Sequence, residues 1–237
     1  MTLSVSPTQS TTQATLRAFL VSILPSGVEV ILGQDNRVPE PAGADFVVIT
    51  PMARTRLSTN VDAYADVLFT GSISGATLTV TQVKFGTISV GSTLFGVGVA
   101  SGTTIVAQVT GSGGVGTYAV SVPQTLAPAA LSAGNELIKQ PTQVDYQIDV
   151  HGPNSPDNAQ TISTLFRDDY ATSWWLAAGV TTSAPLYADD PRQMPFTNEN
   201  QQVENRWVIT ARLEADQTIV VPMQFAGALS VNIIDVP

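Results

Sequence analysis

His151 is the single histidine of the chain. Asp145 and Asp149 precede it closely, and serines are plentiful, so this is where a hydrolytic triad could be assembled. The competing reading is a strand-end histidine before the Gly152-Pro153 turn. No Gly-x-Ser-x-Gly elbow supplies the nucleophile. Asp168-Asp169 and Asp189-Asp190 could serve as carboxylate pairs for metal or acid/base work. Adjacent helical residues point to different sides, which makes Asp168 and Asp169 a poor site and solvated charge the better reading. Gly111-Ser-Gly-Gly-Val-Gly116 has the look of a phosphate loop, but no Lys-Ser/Thr follows it and no helix signal comes after it. It reads as a hairpin turn. Trp174 and Trp175 are adjacent indoles at a helix end and cannot both face one core. One is expected in the core and the other under a loop or at a subunit contact, where aromatic residues are enriched. No catalytic, cofactor-binding or metal-binding residue is assigned, and no cofactor is expected.

Composition narrows the classes further. The chain has 237 residues, 43% hydrophobic and only 12% charged, with a formal net charge of −9. The charged share is about half the usual one, so solubility rests on Thr, Ser, Gln, Asn and Gly or on surface hidden in an assembly. The acidic balance argues against a phosphate-neutralising partner. It leaves room for an acidic channel through which nucleic acid passes without being bound. The absence of cysteine excludes disulfides and thiolate chemistry. Met1 to Gln13 is polar and lacks the basic start and apolar stretch of a signal peptide, and no apolar run reaches the roughly 20 residues of a membrane span. A cytoplasm-like setting and no membrane partner are expected.

The elements that must position these side chains follow from periodicity. Residues 11–24 carry Leu16, Phe19, Leu20, Ile23 and Leu24 at helical spacing after a Ser10-Thr11-Thr12-Gln13 start, and stop at Pro25-Ser26-Gly27. Val28 to Leu32 and Phe46 to Thr50 read as short strands. Val67 to Asn135 contains one charged residue, Lys84, with glycines at 75, 86, 91, 102 and 111 at the spacing of short antiparallel strands. This stretch reads as an inserted all-β barrel or sandwich. Val144, Tyr146, Ile148 and Val150 alternate with Asp145, Gln147 and Asp149, a half-buried strand with an acidic outer face. Ser155 caps a second helix with Pro156 in its first turn, running to about Trp175. Trp207, Ile209, Ala211 and Leu213 mark a long strand, and Thr218 to Phe225 and Leu229 to Val236 final ones. The fold class expected is α+β, a mostly antiparallel sheet flanked by two helices, formed by residues 1–65 and 135–237, with residues 66–134 as the inserted module.

Five stretches resemble the phage neck-terminator (tail-terminator) family of tailed bacteriophages: Asp45 to Leu57, Val144 to Pro153, the helix Ser155 to Trp175, Leu186 to Phe196, and the strand Val203 to Leu213. The insertion is similar to Gly/Thr-rich β modules of phage virion proteins. The resemblance implies a structural virion protein of the neck or tail, assembled in the host cytoplasm. It further implies a six-fold homo-oligomeric ring that caps the tail tube, meets the tail tube or sheath protein and the head-to-tail connector, and lets DNA pass. Subunit contacts are expected at Trp174, Trp175, Tyr187, Arg192 and Phe196, and a channel-facing position for Asp145 and Asp149, the alternatives being that this face packs against a neighbouring subunit's Arg206 or Arg212 or faces solvent. The alternative is a virion decoration or glycan-binding module with the β insertion as reader. The scarcity of aromatics in it, Phe69, Phe85, Phe95 and Tyr118, favours the ring.

Overall fold

The computed structural model describes residues 3, 5–33, 41, 43–197 and 203–223, with the side chain of Phe196 outside the described set. In chain order the elements are β1 (Val5–Ser6), α1 (Gln9–Ile23), β2 (Glu29–Leu32), β3 (Phe46–Arg56), β4 (Val61–Phe85), β5 (Leu94–Phe95), β6 (Ile105–Gln108) and β7 (Gly116–His151). Then come α2 (Ser155–Arg167), α3 (Asp169–Ala177), β8 (Ser183–Ala188), β9 (Arg192–Gln193), β10 (Phe196–Thr197), β11 (Val203–Glu204) and β12 (Arg206–Met223). The final strand expected over Leu229 to Val236 lies outside the described residues. The chain divides into two compact units. The first is Val5–Asn60 with Gln140–Thr218, and the second is built on Val61–Lys139.

In the first unit the strand order is β1-β12-β7-β3-β2, with β8 and β9 also on β12. β2 and β3 pair in parallel and β3 and β7 antiparallel, so the sheet is mixed. Val47, Ile49, Val144, Tyr146, Ile148, Val150, Ile209, Ala211 and Leu213 turn one face inward, where Leu16, Phe19 and Leu20 of α1, Ile162 and Phe166 of α2 and Trp175 of α3 meet them. Phe19 is the hub, with ring centroids 5.9 Å from Phe166 and 5.1 Å from Trp175. Thr12 and Tyr146 close a buried hydroxyl pair at 2.6 Å, so the polar tip of the tyrosine is satisfied inside an apolar layer.

The second unit has its own core, from Val67, Phe69, Ile73, Leu78, Ile105, Tyr118 and Leu131 among others. β4 pairs with β7 from Val61↔Lys139 to Val80↔Gly116, while β5 and β6 pair with β7 as well. β4 and β7 shift register together around Gly75, and Thr81 Oγ1 reaches back to Thr70 O at 3.2 Å. A Cβ on Gly71 would lie 2.9 Å from Thr79 O, so a glycine is needed where the strand folds against itself.

The expected α+β class, a mostly antiparallel sheet flanked by two helices, is not what forms. The protein is mostly β, with strands of 25 and 36 residues running through a ten-stranded mixed sheet against three helices of 15, 13 and 9 residues. Two physical reasons account for this. Gly75, expected among the glycines that end strands, lies inside β4 beside a register shift against β7. The helix expected from Ser155 to Trp175 is two helices, because Asp168 adopts an extended conformation and its side chain caps α3 by accepting from Tyr170 N. All three helices contribute to the one core, so they cover one face of the sheet and leave the other without a helix among the described residues.

Helix starts also moved. α1 begins earlier than expected, with Thr8 as the cap accepting from Thr11 N. Asn154, not Ser155, holds the N-cap position of α2, and Ser155 Oγ is buried without a partner. The turn before α2 is held from a distance: Asp45 accepts from Asn154 N at 2.9 Å and from its amide at 2.7 Å. Gly152 allows this approach. Its φ is +102°, and a Cβ there would lie 2.2 Å from Ala44 O.

Candidate interaction face

Because Tyr146, Ile148 and Val150 point into the core, Asp145, Gln147, Asp149 and His151 project from the other face of β7. The same alternation on β12, with Ile209, Ala211 and Leu213 inward, brings Arg206, Thr210 and Arg212 onto that face beside them. The result is a ladder of ion pairs within one chain. Asp149 is buried, at 5% exposure, and accepts from Arg206 Nε at 2.9 Å and Nη2 at 2.7 Å. Gln147 Nε2 donates to both of its oxygens at 3.0 and 2.9 Å. Arg212 holds Asp189 through Nη1 at 2.7 Å and Nη2 at 3.2 Å, and Arg192 stands 4.0 Å from the same carboxylate. At the rim Arg167 pairs with Asp190 at 2.8 Å and lies 4.7 Å over the Tyr187 ring.

The electrostatics follow the geometry. The Arg212 hydrogen bond holds the Asp189 carboxyl below the usual carboxylate range, against the opposing effect of desolvation. In return Asp189, and at longer range Asp145, raise the proton affinity of Arg212. Asp145 also accepts from Gln143 at 2.8 Å. The acidic face expected from the alternation is therefore balanced, with four carboxylates, Asp145, Asp149, Asp189 and Asp190, set among Arg167, Arg192, Arg206 and Arg212.

His151 sits at the end of this face, stacked on Phe46 at 4.5 Å between centroids and 5° between planes. Burial pushes its pKa below the usual 6.5 and Arg206 adds to this, while Asp149 and Glu204 pull the other way. Its Nδ1 is buried without a partner. The adjoining cavity of about 270 Å³ is lined by Val48, Asp149, His151 and Arg206 and offers no hydroxyl, while Asp149 is committed to Arg206 and Gln147. Among the described residues no three His, Asp or Glu side chains group as metal ligands. No helix among them is long and apolar enough to cross a membrane.

The other candidates fall in separate places. Asp168 caps α3, while Asp169 accepts from Ser173 Oγ at 3.3 Å. Gly111 and Gly113 have positive φ in the turn between β6 and β7, where Tyr118 donates to Gly114 O. Trp174 and Trp175 both reach Phe19, at 5.5 and 5.1 Å, which corrects the expectation that two adjacent indoles cannot share a core. Trp175 is buried and donates to Ser183 Oγ at 3.4 Å. Trp174 is half-buried and forms one wall of a groove of about 650 Å³ with Ser10, Ala14, Ala18 and Val180 of the same unit. Tyr187 and Arg192 are exposed, and Phe196 pairs with Glu204 in the β10–β11 ladder. Sequence reasoning missed Asp45 as the anchor of α2 and the in-chain pairing of Arg206 with Asp149. The only signal for the second was matched alternation on two strands whose adjacency was not known.

A family model described as phage neck terminator protein matches residues 100–236, more than half of the chain. The match takes in Val144 to Pro153, Ser155 to Trp175, Leu186 to Phe196 and Val203 to Leu213, and it begins within the second unit. A search of curated proteins returns no match.

Proposed function

Since the chain belongs to the phage neck terminator protein family, a family of structural neck proteins of the virion, we propose that it forms a homo-oligomeric ring at the neck–tail junction. In this reading six copies cap the tail tube, meet the head-side connector and leave a central channel for DNA. The family match carries the proposal. The low charge and the sheet face that carries no helix among the described residues support it, since closed cyclic symmetry is the simplest way to cap a tube and hides such surface. Trp174, Tyr187 and Arg192 are the accessible contacts of the ring, with Trp175 supporting Trp174 from the core, and Phe196 contributes from the β10 edge.

Asp145 faces the channel in this reading and Asp149 lies behind it, neutralised by Arg206. The wall then neither attracts nor strongly repels phosphate. Unit charges about 10 Å apart in water interact by only about 0.4 kcal/mol, and salt screens them over about 8 Å. DNA slides along such a wall without a bound state to escape.

Native mass spectrometry of the purified protein and imaging of the virion neck test the ring. A chain that stays monomeric in both settings refutes it. Asp145→Lys tests the channel: ejection slows while assembly is unaffected, and unchanged ejection kinetics in an intact variant virion remove that part of the reading.

A further inference from the structure

A free sheet rim presents unpaired N–H and C=O groups and invites strand addition from another chain. We propose that Arg17 and Arg167 guard the two rims of the first unit's sheet, closing them against edge-to-edge pairing between copies of this chain. The hydrogen-bond parity of the outer strands carries the argument. Gly33 N donates to Ile49 O at 2.8 Å, so alternate residues of β2, Ile31 and Glu29, bond toward β3, and Val30 turns its carbonyl outward. That carbonyl is taken by Arg17 Nε of α1 at 2.7 Å. At the opposite rim Asp189 N donates to Thr210 O at 2.9 Å, which makes 189 and 210 a bonded pair. Ala188 and Ala211 are then the non-bonded pair, and the Ala188 carbonyl faces away from β12. Arg167 Nε of α2 donates to that carbonyl.

The two rims thus carry the same device. Each is an outward carbonyl, the group an incoming strand must use, occupied by a guanidinium from the helix layer. Arg167 is itself fixed by Asp190 at 2.8 Å and by the Tyr187 ring, so it does not swing aside freely. Pro185 removes one further donor from β8. A strand arriving at either rim must displace a charge-assisted bond before gaining its own. Association of this unit is thereby directed to its faces. The inference stands apart from the ring reading, because a monomer with closed rims leaves it intact.

The test uses the full chain with both arginines replaced by methionine, which keeps the apolar stem and loses the donor, against the pair Arg17→Lys and Arg167→Lys, which keeps one. Sedimentation velocity over a concentration series is the readout, with circular dichroism as the check on folding. The methionine pair self-associates about tenfold more strongly at each rim, the equivalent of about 1.4 kcal/mol, and binds thioflavin T, while the lysine pair matches the wild type. A folded methionine pair with the wild-type size distribution overturns the proposal, as does a lysine pair that associates like the methionine pair. Should the methionine pair not fold, the single variants are read in the same way. In the wild type, amide exchange at Val30 and Ala188 stays the same in dilute and concentrated solution, and protection that grows with concentration also overturns it.

Discussion

Replacing Arg206 with methionine removes the two guanidinium donors to Asp149 and keeps much of the aliphatic bulk. The Asp149 side chain is 7% exposed and that of Arg206 26%, so the carboxylate is the partner stranded by the change. Breaking a fully buried pair in this way costs about 3–5 kcal/mol. Arg206 is a quarter exposed and Gln147 still donates to Asp149, which lowers the cost to about 2–3 kcal/mol. Asp149→Asn alone costs about 1–2 kcal/mol, because the arginine can still reach water. The double variant then loses less than the sum of the singles, by about 1–2 kcal/mol. Urea unfolding followed by tryptophan fluorescence measures this cleanly, since all three tryptophans, Trp174, Trp175 and Trp207, lie in the first unit. Additivity of the two changes within about 0.5 kcal/mol would show that the pair is not coupled, and the account of a neutralised face would fall with it.

Gly152→Ala forces a Cβ to 2.2 Å from Ala44 O at a φ of +102°, and should cost about 2–4 kcal/mol in the same assay; wild-type stability would rule out the turn as described. His151 has a folded-state pKa below its unfolded one, so its contribution is present above about pH 6.5 and is lost as pH falls through the folded value. Melting temperature against pH should therefore fall for the wild type from about pH 7 to 5, and less steeply for His151→Phe; equal slopes would refute this. Asp189, also depressed, contributes above its ordinary 3.8 and is lost only below it, so the acid limb under pH 4 persists in both proteins. Deleting Val61–Lys139 and joining residues 60 and 140 by a short Gly-Ser bridge should leave the tryptophan unfolding transition of the first unit in place, and its loss would mean that the second unit is part of one core.

Local alternation was legible in the sequence where burial alone decides it. Val144 to Val150 and Trp207 to Leu213 each show period two, and each is a strand whose apolar face reaches the core. The apolar face of α1 was legible for the same reason. Whatever depends on strand order was not. The acidic reading of Asp145 and Asp149 counted the charges of one strand and did not see that Arg206 and Arg212 stand beside them on β12 of the same chain. Glycine was the other source of error, because a glycine that ends a strand and one that sits inside a strand at a register shift, as Gly75 does in β4, read alike before the partner is known. Trp174 and Trp175 share a core because Phe19 offers its ring to both, an arrangement set by a helix far away in sequence.

The pairing of Val61 with Lys139 has a mechanical consequence. The chain enters and leaves the second unit through two antiparallel strands held at the same end, with ladder bonds running perpendicular to them. A pull that separates residues 60 and 140 loads the Val61–Lys139 rung first, then Asp62–Ile138, then Ala63–Leu137, one after another. This is unzipping, in which bonds yield singly at low force, and not shear, in which many must break at once. The rungs that yield first flank exposed side chains from Val61 to Ala65, while the packed core begins only at Val67. Pulled apart at these ends, the outer rungs yield one after another before the packed core of the unit bears load.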